Sequence, residues 1–182
     1  MSLNTLGNIY LDWGKFKDAE PYYQKAVIAF EFSYGSEHTQ TAIAINNLAY
    51  LYFKLGQYDE AHPLYIKVLK IFQKVFKRNH PNTLSTMDNF GLLLLKQKKY
   101  KESRIILRKV LKARIEVLGK EHLDTADSYK SIAELNEEQN NIQEAIEYYE
   151  KEKDILVKVL DKENPEIVEL SNKIEELRNR NV

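Results

Sequence analysis

Three histidines, His38, His80 and His122, recur 42 residues apart, and two chemistries could use that spacing. Imidazoles are common zinc ligands, but ligands of one ion must converge within about 2 Å of it. Alternatively each ring caps a helix N-terminus. Copies of a structural unit pack no closer than roughly 8–10 Å between helix axes, so the capping reading is preferred. Asn164, a strong cap former, holds the fourth equivalent place. No metal and no cofactor is expected. Carboxylates crowd the last third at Glu134, Glu137, Glu138, Glu144, Glu147, Glu150 and Glu152, yet none of them sits in the Asp- and Gly-containing loop that calcium demands. They read as a charged helix face. There is no Ser/His/Asp arrangement, glycine-rich phosphate loop or cysteine, so no catalytic residue is assigned and the chain is read as a non-enzyme.

The run KQKKYKESRIILRKVLKAR holds Lys96, Lys98, Lys99, Lys101, Arg104, Arg108, Lys109, Lys112 and Arg114, enough cation to neutralise phosphates of a nucleic acid or lipid head groups. Its one aromatic, Tyr100, is already used by the repeat described next, so no stacking platform is left. A solvated face on a loop and the outer side of a helix is the preferred reading. The 12 tyrosines fall mostly at repeated positions, where packing explains them.

The elements behind these residues come from self-similarity, which is best sought first. A shift of 42 carries Leu6 onto Leu48, Phe90 and Ile132, Gly7 onto Ala49, Gly91 and Ala133, and Phe16 onto Tyr58, Tyr100 and Ile142. Ala19, Ala61, Ser103 and Ala145 align as well, as do Tyr23, Tyr65, Leu107 and Tyr149. Four ungapped units result, at approximately 1–38, 39–80, 81–122 and 123–164. Ile45, Leu48, Ala49, Leu51 and Tyr52 form one helical stripe, and Leu64, Tyr65, Val68, Leu69, Phe72, Val75 and Phe76 a second, so each unit is two helices. Gly14 and Gly56 mark the turn inside a unit. Gly35 and Gly119 sit where a left-handed C-terminal cap is expected, a place held by Lys77 and Asp161 in the other units. Small residues at the Gly7 and Ala19 positions let the two helices approach closely, and a hairpin that cannot bury both faces must stack on its neighbour. NPEIVELSNKIEELRNR, with Asn164 as cap and Pro165 as first residue, predicts a final capping helix over 165–180. The chain opens already inside a first helix, which suggests a piece of a longer protein with a cloning scar at Met1 to Leu3.

These residues resemble the tetratricopeptide repeat. L-G-x-x-Y is met by Leu6, Gly7 and Tyr10 and, with Ala for Gly, by Leu48, Ala49 and Tyr52; A-x-x-x-F is met by Ala19/Tyr23, Ala61/Tyr65 and Ala145/Tyr149. The unit is longer than the common 34 and is similar to the 42-residue variety of kinesin light chains. The resemblance implies an all-α fold, a right-handed superhelical stack of helix-turn-helix repeats with a C-terminal capping helix. It also implies a concave groove, lined by the first helices, that binds a peptide or helix of a partner protein. Carried over by position, the groove residues are Asn4, Asn8, Asn46, Asn47, Tyr50, Lys54, Asp88, Asn89, Leu92, Lys96 and Lys130, continuing to Glu134. An asparagine amide both donates and accepts, so it can pair with a peptide backbone of any sequence. In chaperone-tail binding relatives two asparagines act beside cations; Asn8 and Asn47 match the former, whereas Asn4, Ser85 and Asn89 stand where the cations would be. Lys54 and Lys96 beside Tyr50 and Leu92 are similar to a pocket for an acidic peptide bearing tryptophan, as in kinesin light chains.

Composition sets the remaining bounds. With 43% hydrophobic and 30% charged residues and no linker-like stretch, 182 residues are read as one folded domain spanning 1–182. The formal net charge of +0 hides an asymmetry: Met1 to His122 carries 19 basic and 11 acidic side chains, Leu123 to Val182 8 and 16. Weak self-association through these basic and acidic ends follows as an expectation. No whole-molecule field favours nucleic acid, and no apolar run suggests a membrane span. The lack of cysteine fits a reducing compartment, so a cytoplasmic location is expected. Two further functions stay open: a structural or oligomerising piece of a larger protein, and a basic-face binder of nucleic acid or lipid.

Overall fold

Apolar residues at helical spacing, broken at fixed intervals by turn residues, fold here into nine α-helices and no strand among the described residues. The computed structural model describes residues 2–76, 79–161 and 163–180. Two compact units are distinguished, residues 1–97 and 98–182.

The first unit holds α1 (Leu3–Asp12), α2 (Phe16–Tyr34), α3 (Thr39–Lys54), α4 (Tyr58–Val75) and α5 (Pro81–Lys96). Each helix packs on the next, and α3 also touches α1 and α5. The second unit holds α6 (Tyr100–Leu118), α7 (Leu123–Glu138), α8 (Ile142–Val159) and α9 (Pro165–Arg180), again packed in sequence. Thr39, Pro81, Leu123 and Pro165 each begin a helix 42 residues after the last, as do Phe16, Tyr58, Tyr100 and Ile142. The expected capping helix α9 packs on α8 and buries Ile167, Leu170, Ile174 and Leu177.

All three histidines of the 42-residue series are caps. Nδ1 of His38 accepts from the Gln40 N–H at 3.2 Å, His80 from Asn82 at 3.2 Å and His122 from Asp124 at 3.1 Å. Asn164 Oδ1 does the same for Glu166 at 2.9 Å. Each satisfies one of the N–H groups that a helix start leaves without an intrahelical partner.

The core follows the small-residue positions. Ala19, Ala49, Ala61, Ala133 and Ala145 are fully enclosed. A Cβ on Gly7 would lie 2.6 Å from the Tyr23 ring, so that residue sets how closely α1 approaches α2. On α4 the stripe differs from expectation at two positions: Val75 is exposed, and Ile71, outside the expected stripe, is buried.

Gly35 and Gly119 end α2 and α6 with φ of 91° for both, but ψ of 162° and 170°. This corrects the expected left-handed cap: the backbone is extended in a region open essentially to glycine alone. Where glycine is absent, α8 stops one residue sooner, with Leu160 at φ −106°. Lys77 and Met1 lie outside the described residues. The turn inside each repeat needs positive φ in every copy, supplied by Gly14 (69°), Gly56 (75°), Lys98 (59°) and Asn140 (59°).

Candidate functional site

The contacts of α3 with α1 and α5 make the odd-numbered helices of the first unit an adjoining layer, and most of the expected groove residues lie on it. Asn8 is exposed on α1, but its Oδ1 already accepts from the Tyr23 hydroxyl at 2.7 Å. Burial above all, with Asp12 and Tyr50 adding to it, pushes the Tyr23 phenol up to about 12, so it remains a donor at neutral pH. Asn4 is half-buried with an enclosed, unpaired Oδ1. Asn46 is tied to α5 by the Thr86 hydroxyl, 3.0 Å from its Oδ1. Asp88 is buried on α5.

Asn47 on α3 and Asn89 on α5 differ from these. They occupy equivalent positions on touching helices, are half-buried, and have no side-chain hydrogen bond among the described residues. Beside Asn47, Tyr50 presents its ring to Lys54, whose Nζ lies 5.8 Å from the ring centroid, and Phe53 stands 6.3 Å from Tyr50 on the other side. Leu92 is half-buried and Lys96 exposed on α5. Below this surface Tyr65 repeats the place of Tyr23, but Tyr50 stands where Asn8 would accept, so the Tyr65 hydroxyl is enclosed without a partner. Burial, then Tyr50, raises its pKa. The surface therefore combines uncommitted amides, an aromatic wall and cations. That is chemistry for holding a peptide backbone and one apolar side chain.

Lys130 and Glu134 belong to the second unit, on α7, exposed and half-buried respectively. Two neighbours in that unit escaped the sequence reading. Arg114, expected on a solvated basic face, is 3% exposed; its guanidinium donates at 2.8 Å to both the Asp124 carbonyl and Ser128 Oγ. Glu152, expected on a charged helix face, is also 3% exposed, with Oε2 enclosed and unpaired. The available signal was the repeat itself. A shift of 42 sets Glu152 on Ala26, Val68 and Val110, all buried, and sets Arg114 on Phe30, Phe72 and Leu156. The other carboxylates behave as expected of a surface, Glu137 accepting from the Tyr149 hydroxyl at 3.0 Å and from Lys173 at 2.6 Å.

No grouping of His, Cys, Asp and Glu able to hold a metal occurs among the described residues, and no helix there is long and apolar enough to cross a membrane. A cavity of about 720 Å³ lies away from the asparagines, between the α2–α3 loop and α4, lined by Glu37, Ile66, Lys70 and Lys74. The Lys74–Glu37 pair at 3.0 Å closes part of its wall.

The chain is similar in structure to a putative kinesin light chain of Podosopora anserina with nearly identical TPR-like repeats, at 23% identity and a TM-score of 0.77, over 98% of this chain and 85% of that one. BtubC (BKLC) from P. vanneervenii is similar at 17% identity and a TM-score of 0.79, over 97% and 70%. The N-terminal domain of stress-induced protein-1 from C. elegans is similar at 20% identity and a TM-score of 0.51, over 77% and 96%. At these identities the likeness is one of fold. No curated protein matches the chain. The family model for the tetratricopeptide repeat matches residues 1–74, 40–116 and 90–156, so the repeat inferred from spacing is the family's own: the chain belongs to the tetratricopeptide repeat family.

Proposed function

We propose that this chain is a non-catalytic adaptor that holds a peptide segment of a partner protein against the odd-numbered helices of its first unit. Tetratricopeptide repeats are in general protein-interaction modules, and the finer reading rests on one observation: Asn47 and Asn89, on adjacent helices with Tyr50 and Lys54, have no side-chain hydrogen bond among the described residues. A half-buried amide left unpaired costs stability unless water or a ligand meets it. Peptide backbone supplies both donor and acceptor at the spacing of successive residues. Lys54 over the Tyr50 ring favours a ligand in which an apolar side chain is flanked by acidic ones.

The test uses peptides selected from a displayed random library against the whole chain. The double variant Asn47→Ala/Asn89→Ala is expected to weaken their binding by about 2 kcal/mol, roughly 30-fold in Kd, through the loss of two or more backbone hydrogen bonds. Its urea midpoint should stay within that of the parent, since neither side chain holds the fold. Unchanged affinity would refute the reading.

A further inference from the structure

Glu152 is the one place in the four repeats where the seam position of the second helix carries a charge-bearing group: Ala26, Val68 and Val110 fill it elsewhere, each no more than 1% exposed. Among the described residues helix α8 packs on α7 and on α9, and both carry charge that bears on Glu152. From α7 come Asp127, Lys130 and Glu134, and from α9 Glu166; on its own helix the Tyr149 phenol feels it. The charges of three carboxylates and one ammonium therefore act on a fourth carboxylate, whose Oε2 is enclosed and has no hydrogen-bond partner. Charging such a group costs its desolvation and the repulsion of its neighbours, and Lys130 offsets only part of that. Ile155 and Leu156 of α8 share a buried apolar cluster with Ile167 and Leu170 of α9, and that cluster needs the two helices closed together.

We propose that Glu152 makes the docking of the capping helix proton-dependent: α9 closes on α8 while the Glu152 carboxyl is neutral and loosens when that carboxyl ionises. Burial first, then Glu166, Glu134 and Asp127 against the opposing Lys130, hold its pKa up at about 8, well above the ordinary 4.5. A carboxyl raised in the folded state contributes stability that is whole below about 4.5 and is lost as pH rises through about 8. The ion pairs of α9, Lys173 with Glu137 at 2.6 Å and Arg178 with Glu150 at 2.5 Å, do not involve this proton.

Hydrogen exchange of the whole chain between pH 5 and 9, corrected for intrinsic rates, reads the opening of α9 directly. The opening equilibrium is expected to grow by up to about tenfold per pH unit to about pH 8 and then level off, the slope of one proton released on opening. Amides of α3 and α4 should show no such slope. Glu152→Val restores the residue of two other repeats and Glu152→Gln keeps the shape; either should flatten the profile and protect α9 above pH 7. A carbon-13 titration of the Glu152 carboxyl should have its midpoint near 8. A flat parental profile, a slope that persists in a folded variant, or a carboxyl midpoint near 4.5 would each overturn the proposal.

Discussion

The imidazole of His80 accepts at Nδ1 from the Asn82 N–H and lies flat on the Phe76 ring, 3.7 Å between centroids with planes 5° apart. His38 stacks in the same way on Tyr34, at 4.8 Å and 17°. A histidine thus does two jobs at the start of an odd helix, capping it and covering the aromatic that ends the preceding even one. Truncation to His80→Ala removes both, and should cost about 1–2 kcal/mol of stability in urea unfolding, whereas His80→Asn keeps the cap and should recover about half. The caps were legible from spacing, because a period of 42 fixes the same local geometry each time. The stacking was not, since it depends on the backbone turn between two helices. Arg114 and Glu152 are hidden in the sequence for a related reason: along the helix their charge marks solvent, and only across the repeat does it fall on the seam.

At the level of the helix hairpin, the turn geometry is more uniform than the residues that make it. Four turns need φ between 59° and 75°, and glycine supplies only two of them. Lys98 holds this conformation against the clash of its Cβ, a strain of about 1–2 kcal/mol that asparagine at 140 suffers less. Lys98→Gly should therefore raise the stability of the chain by about 1 kcal/mol, measured as a shift in urea midpoint with unchanged m-value, and Asn140→Gly by less. No gain from Lys98→Gly would show the turn to be unstrained. Helix number, order and starts were all readable from the 42-residue period; the extra residue of α2 and α6 relative to α4 and α8 was not, because it depends on what glycine permits at positions 35 and 119.

Over the whole chain, the period runs unbroken through Gln97 and Lys98, where the two compact units meet in sequence, so nothing in composition marks that point. The candidate surface was legible only as a set of positions. Asn4, Asn8, Asn46, Asn47 and Asn89 are expected on one surface; their bonding divides them into amides used inside the fold, Asn8 and Asn46, one with an enclosed Oδ1, Asn4, and two without a side-chain hydrogen bond among the described residues, Asn47 and Asn89. Titrating a library-selected peptide into the nitrogen-15-labelled chain and following its side-chain amide signals tests that division most directly. The Asn47 and Asn89 NH2 pairs should shift strongly, together with backbone amides of α3 and α5. Shifts confined to the outer helices α2 and α4, or to the lysines of α6, with both asparagine pairs unmoved, would contradict that division.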